Sequence, residues 1–176
     1  MKVFLTGRAG CGKSTVLVKT IKLLKEKGLK VGGIVTPEIR SGKRRIGFAV
    51  KDVATGKEGI LAKTGFDTKK PRIGRYVVEV TGFEMIALAA LDFALKECDA
   101  IVIDEIGKME FFSQKFKEKL REVLESTKPI IAVVHRNFVD DFKRYGKVIE
   151  VTIENRDKLP DRIVEKISKN SPSFPY

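Results

Sequence analysis

Gly7-Arg8-Ala9-Gly10-Cys11-Gly12-Lys13-Ser14 has the spacing G-x-x-x-x-G-K-S. Ahead of it, Val3, Phe4 and Leu5 read as a short buried strand; behind it, Val16, Leu17, Val18, Ile21, Leu23 and Leu24 recur at helical spacing. Strand, glycine loop and helix in that order make this a phosphate-binding loop rather than a glycine-rich turn that happens to carry Lys-Ser. Gly7, Gly10 and Gly12 open dihedrals that a side chain forbids, so successive N–H groups turn inward as a nest for phosphate oxygens. The following helix adds its unpaired N-terminal donors and the positive end of its dipole. Lys13 is therefore expected to reach the β- and γ-phosphates and Ser14 Oγ to ligate Mg²⁺. The whole run, with Arg8, Ala9, Cys11 and Thr15 included, is expected to wrap a nucleoside triphosphate.

From that loop outward, the rest of the chain reads as alternating strands and helices. The first helix is expected from about Lys13 to Lys27, ended by Gly28, with a second strand over Lys30 to Val35. Strand, helix and strand then form a right-handed βαβ unit. The pattern changes at Ile46, Phe48 and Val50, which alternate with Gly47 and Ala49; a turn over Asp52 to Gly56 and a run from Glu58 to Ala62 complete a hairpin. Lys69-Lys70-Pro71-Arg72 is a basic loop, and Arg75 to Val80 is another strand-like stretch. Met85 to Leu95 is apolar almost all round and reads as a buried helix. Ala100 to Ile103 is a continuous apolar strand, Phe116, Leu120, Val123 and Leu124 have helical spacing, and Pro129 opens a strand from Ile130 to Val134. Asn137 is placed to cap a short helix reaching about Tyr145, with Asp140 in the capping-box position. Val148 to Ile153 is the last strand, and Ile163, Val164 and Ile167 belong to a final helix opened by Leu159-Pro160.

The expected fold class is α/β, a mainly parallel sheet sandwiched by helices, with an inserted antiparallel β region around residues 44–80. A nucleotide then sits at the carboxyl ends of the strands, beside the first βα turn. A chain of 176 residues suits one domain, here 1–170, followed by a Pro/Ser tail at 171–176.

Composition narrows the classes. The hydrophobic fraction is 43%, and no segment approaches the roughly 20 apolar residues that span a bilayer, so no membrane role is expected. The N-terminus enters the first strand directly, without a signal-peptide pattern. Cys11 and Cys98 make neither a disulfide framework nor a zinc-ligand spacing, which points to a reducing, cytoplasmic location. A net charge of +12 admits nucleic acid as a partner without requiring it. Lys and Arg are spread along the chain, 33% of residues are charged, Gln occurs only at position 114 and Trp is absent. That balance favours a thermophile-like surface whose field draws anionic nucleotides inward.

Asp104 follows the apolar strand Ala100-Ile101-Val102-Ile103, the form of a Walker B element whose carboxylate holds the Mg²⁺ shell. Glu105, next in line, is the candidate to orient or deprotonate the attacking water. Taken alone, Asp-Glu after an apolar strand is a solvated loop start; the phosphate loop upstream changes that reading. Further candidates are weaker. Glu38 or Arg40, after the second strand, emerge at the same sheet edge and could meet the γ-phosphate or its water as readily as form surface charges. Lys108 is a possible cation for the leaving phosphate. His135, after another core strand, is more often structural than a sensor. Arg156 is placed to stack on a base.

Four stretches together carry a resemblance: Gly7 to Ser14, Val-Gly-Gly-Ile-Val-Thr-Pro-Glu-Ile-Arg at 31–40, Arg45-Ile46-Gly47-Phe48, and Val-Ile-Asp-Glu-Ile-Gly-Lys-Met-Glu at 102–110. They resemble the THEP-type nucleoside-triphosphatase family over nearly the whole chain. The resemblance implies a RecA-like P-loop fold with an added antiparallel region. It also implies slow Mg²⁺-dependent hydrolysis of ATP, GTP, CTP and UTP, with a broad base range. At matching motif positions it gives Lys13 and Ser14 the phosphate and metal roles, and Asp104 and Glu105 the Walker B and catalytic roles. The alternative is a kinase transferring the γ-phosphate to a nucleoside, nucleotide or nucleic-acid end, with Lys43-Arg44-Arg45 and Lys69-Lys70-Pro71-Arg72 closing over a second anionic substrate. A GTP switch would carry Asn-Lys-x-Asp; Asn155-Arg156-Asp157-Lys158 has the wrong order.

Overall fold

Strand β1 (Lys2–Thr6) turns Val3 and Leu5 to one face of a sheet and Phe4 to the other, and all three are fully buried or nearly so. Side chains alternate along a strand, so a strand apolar at every position must be covered on both faces. In the computed structural model, which describes residues 1–169, helices supply that cover. On the Val3 and Leu5 face lie α1 (Lys13–Glu26) and α5 (Leu159–Lys169), through Val16, Leu17, Leu24, Ile163, Val164 and Ile167. On the Phe4 face lie α2 (Val80–Glu97), α3 (Gln114–Glu125) and the short α4 (Val139–Phe142). Edge-on aromatic pairs lock this second layer: Phe4 with Phe142 at 5.2 Å and Phe83 with Phe116 at 5.1 Å between ring centres.

The remaining strands are β2 (Val31–Val35), β3 (Glu38–Ser41), β4 (Arg44–Asp52), β5 (Glu58–Thr64), β6 (Arg72–Ile73), β7 (Tyr76–Val78), β8 (Ala100–Ile106), β9 (Ile130–Val134) and β10 (Lys147–Glu150). Among the described residues they form a single ten-stranded sheet in the order β10-β1-β9-β8-β2-β4-β5-β7-β6, with β3 paired to β4. The half from β10 to β2 is parallel and the half from β4 to β6 is antiparallel, joined where Ile34 and Val35 face Asp52 and Lys51. Strand β8 is two places from β1, with β9 between them, so the two motif-bearing strands deliver their carboxyl ends to one edge without being neighbours.

Several boundaries depart from the sequence reading. The antiparallel region opens earlier than residue 44: Glu38–Ser41 is a strand, not a loop, and pairs with Arg44 to Phe48. Val80 starts α2 rather than ending a strand. Asp104 does not close its strand, because β8 continues to Ile106; the Asp104–Glu105 peptide is cis, and pairing with β9 steps from Ile103 directly to Ile106. Asn137 is not a helix cap; it lies inside a 3₁₀ turn, Arg136–Phe138, and His135 Nδ1 accepts its N–H at 3.3 Å. The last strand stops at Glu150 and leaves Ile153 exposed. The expected tail at 171–176 lies outside the described residues.

Candidate active site

Gly12 caps α1 in a left-handed conformation, φ 102°, and its carbonyl accepts the first helical bond, from Val16 N–H at 2.9 Å. A Cβ at Gly12 would come 3.1 Å from Arg156 Cδ, so the side chain of Arg156 lies directly over the loop's turn into the helix. Lys13 folds back over the loop and donates to the carbonyls of Arg8 at 2.9 Å and Gly7 at 3.1 Å. Its ammonium is thereby held above the glycine loop, where phosphate oxygens compete for the same donors.

Ser14 Oγ donates to Asp104 Oδ1 at 3.3 Å, linking the first turn of α1 to β8 across ninety residues of chain. Asp104 is 5% exposed, and its backbone carbonyl accepts from Thr36 Oγ1 at 2.5 Å, which ties β8 to the end of β2. Burial pushes the Asp104 carboxyl up to about 6, with the Glu105 charge adding to the rise and the Ser14 bond and Lys13 opposing it. Glu105 is half-buried and lines the cleft. Glu110 is buried beneath it and accepts the Gly107 N–H at 3.0 Å. Burial pushes Glu110 up to about 8; N–H groups of Glu110 and Gly107 resist this and the Glu105 charge reinforces it.

These groups surround a cleft of about 610 Å³ at the carboxyl edge of the sheet. Gly7, Ala9, Gly10, Gly12, Lys13, Ser14 and Thr15 line it, and so do Asp104, Glu105 and Lys108. Arg8 and Cys11 do not: Arg8 is exposed, and Cys11 packs against the layer of α1 and α5. Arg156 also lies outside the lining, beyond Gly12. Glu38 faces the cleft, paired with Arg40 at 2.6 Å and Arg45 at 2.8 Å, whereas Arg40 itself does not. His135 and Arg136 both contribute to the wall. Of the two basic stretches, only Arg45 reaches the cleft; Lys70 is engaged by Glu79 at 2.7 Å and Arg72 lies over the Phe66 ring at 5.2 Å. Sequence reasoning placed Arg45 in a basic stretch over a second anionic substrate, but missed the burial of Glu110 and the place of Phe48 in the cleft. The alternation at Ile46, Phe48 and Val50 was visible, but not which face of that hairpin turns toward the phosphate loop.

Mg²⁺ is a hard ion that takes one or two protein oxygens and fills its remaining positions with water and phosphate. The serine hydroxyl and aspartate carboxylate, already within 3.3 Å of each other, are oxygen donors of that kind. Among the described residues no group of three or more His, Cys, Asp or Glu is suited to hold a metal ion.

A parallel α/β core, a glycine loop opening α1, and a carboxylate from a strand two places away define a P-loop nucleotide-binding protein of the RecA-like class. A family model described as NTPase matches residues 2–164, and the chain belongs to that family. It is 45% identical over 167 residues to the nucleoside-triphosphatase THEP1 of Methanocaldococcus jannaschii, covering 95% of this chain and 97% of the relative. The THEP1 of Pyrococcus abyssi is 43% identical over 169 residues, covering 96% and 93%. Among solved structures, THEP1 from the hyperthermophile Aquifex aeolicus superposes with a TM-score of 0.81 at 32% identity, covering 95% of this chain and 99% of that one. A human cancer-related nucleoside triphosphatase gives 0.80 at 36% identity, covering 97% and 98%. No helix among the described residues is long and apolar enough to cross a membrane.

Proposed function

We propose that this chain hydrolyses nucleoside triphosphates to the diphosphate and phosphate with Mg²⁺, across ATP, GTP, CTP and UTP. The observation that carries the reading is the contact of Ser14 with Asp104 beneath Lys13: two distant motifs converge on one point. The nucleoside-triphosphatase names of its relatives, at more than 40% identity over nearly the full length, support the same activity.

In this reading the triphosphate lies along Gly7 to Thr15, its β- and γ-phosphates on the loop amides and Lys13. Ser14 and Asp104 would hold the metal, which would supply positive charge against the negative charge that develops on the phosphate oxygens. The base leaves the loop on the side of Arg156, whose guanidinium plane suits stacking on any base, and this supports the broad base range. Glu105 takes the proton of the attacking water. Asp104 is buried and directed to Ser14, so the half-exposed Glu105 is the carboxylate free to meet water. Glu110 fixes the Gly107 turn behind it.

The test is Glu105→Gln. It keeps the shape and removes the base, so phosphate release from ATP should fall roughly 10²–10³-fold while calorimetry finds nucleotide affinity within a few-fold of the original. Undiminished turnover would remove Glu105 from the role.

A further inference from the structure

The cleft is larger than a triphosphate tail needs. Its volume of about 610 Å³ is within the roughly 300–1,000 Å³ that encloses a whole small molecule. With the base leaving by Arg156, as in the function proposed above, the cleft also runs away from the nucleoside of the substrate. Arg156 follows β10, on one side of β1; the cleft extends to the other side, past β8 and β2, to the antiparallel hairpins. Beyond Asp104 and Glu105 its walls are Thr36, Glu38, Arg45, Phe48, Ile73 and Met109.

The chemistry of those walls is specific. Phe48, with Arg45 over its ring and Tyr76 edge-on at 5.3 Å, gives an aromatic wall and Met109 a thioether, the surfaces against which flat rings pack. Arg45 is fixed in place: its Nε donates to Tyr76 Oη at 2.9 Å, its Nη1 to Glu38 at 2.8 Å, and its guanidinium lies 5.0 Å from the Phe48 ring centre. Its Nη2 has no hydrogen-bond partner among the described residues, so a pre-oriented cation keeps a free pair of donors. Lys108 and Arg136, at the rim between this lobe and the phosphate loop, make no ion pair among the described residues.

We propose that this lobe binds a second nucleotide, a nucleoside monophosphate, next to the γ-phosphate of the bound triphosphate. Its base lies against Phe48 and Met109 and its phosphate on Arg45. The proposal rests on the phosphate-loop reading of the site, since that reading leaves the lobe unfilled. A monophosphate seated there shields the attacking-water position beside Glu105, so it slows hydrolysis without displacing the substrate.

The experiment has two stages. The protein is first titrated with Mg²⁺ and the β,γ-imido analogue of ATP, and the loaded protein is then titrated calorimetrically with AMP and with GMP. The expected result is monophosphate uptake by the loaded protein, weakened about tenfold or more by Arg45→Gln, the usual effect of losing one charge-assisted contact. Ile73→Trp, which adds bulk to the lobe wall and removes neither hydrogen-bond partner of Arg45, should abolish the second binding and spare the first. In steady state, AMP should inhibit phosphate release in a mixed or uncompetitive pattern against ATP. Failure of the analogue itself to bind would sink the phosphate-loop reading and the lobe with it. Analogue binding with AMP acting only as its competitor would overturn the lobe alone and make it the pocket for the substrate's own base. Monophosphate uptake unchanged in both variants would also overturn it.

Discussion

Two carboxyl groups six residues apart sit in environments that make both titrate near neutrality, with different consequences. In its proposed role Asp104 must lose its proton to hold Mg²⁺, and burial lifts that proton's pKa to about 6. Below that value metal and proton compete for one oxygen. The affinity for Mg²⁺ and nucleotide together should therefore fall by about tenfold per pH unit below pH 6, and level off above it. Calorimetry from pH 5 to pH 8 reads this directly. Glu110 acts through stability. Its carboxyl is raised from 4.5 to about 8, so between those values the folded chain holds a proton that the unfolded chain has released. Stability from this group is fully present below pH 4.5 and is lost as pH rises through 8. Glu110→Gln keeps an acceptor for the Gly107 N–H and cannot ionise. In urea titrations the variant should match the parent near pH 5 and exceed it above pH 8, by a margin on the order of 3 kcal/mol. Identical pH profiles would mean that Glu110 is solvated in the folded state.

At the level of elements, the site depends on how closely β2 approaches β8, because that approach brings Thr36 to the Asp104 carbonyl. Gly33 sets it. Its φ is +113°, and a Cβ there would stand 2.0 Å from Val102 O and 2.9 Å from Val102 N, both backbone atoms of β8. No rotamer relieves a clash with backbone, so Gly33→Ala must part the two strands. Stability should drop by roughly 3 kcal/mol or more, and the Thr36 contact should loosen with it. Thermal melts joined to a turnover assay check both, since turnover at a temperature where the variant is folded should also fall. The same region shows what sequence pattern discloses. β9 and the runs at residues 3–5 of β1 and 100–103 of β8 were legible because they are continuously apolar, and such runs have one solution, burial on both faces. β3 was not: in Glu38-Ile39-Arg40-Ser41 only Ile39 is even half-buried, and the strand is fixed by pairing with β4 rather than by a hydrophobic face. Residues 104–106 escaped for a related reason. Asp and Glu read as an end to an apolar strand, yet Ile106 is fully buried and carries β8 onward past the break in its pairing.

For the molecule as a whole, motif and charge were both readable in the chain, but their arrangement was not. Lys13, Ser14 and Asp104 were named from spacing alone, since a glycine loop and a strand-borne carboxylate have few other uses together. The hydrophobic lobe with Arg45 depends on which way a hairpin faces, a long-range property that no local pattern encodes. Net charge behaves likewise: the value +12 is a sum, and only the fold puts Lys13, Arg45, Lys108 and Arg136 around one concave opening. Glu38, Asp104, Glu105 and Glu110 line the same cleft, so the attraction comes from the excess charge of the whole chain, and the four cations give it an opening that raises the local concentration of anionic nucleotides. That field is screened over about 10 Å at 0.1 M salt and about 3 Å at 1 M, whereas contacts within the closed phosphate site are screened far less. Raising KCl from 0.1 M to 1 M at fixed free Mg²⁺ should therefore raise KM for ATP roughly fivefold or more and change kcat less than about twofold. A KM indifferent to salt would mean that nucleotide capture depends on the short-range contacts of Lys13 and the loop amides alone. A parallel fall in kcat would instead place a screened, solvent-exposed charge in the hydrolytic step, with Lys108 and Arg136 as the exposed cations of the cleft wall.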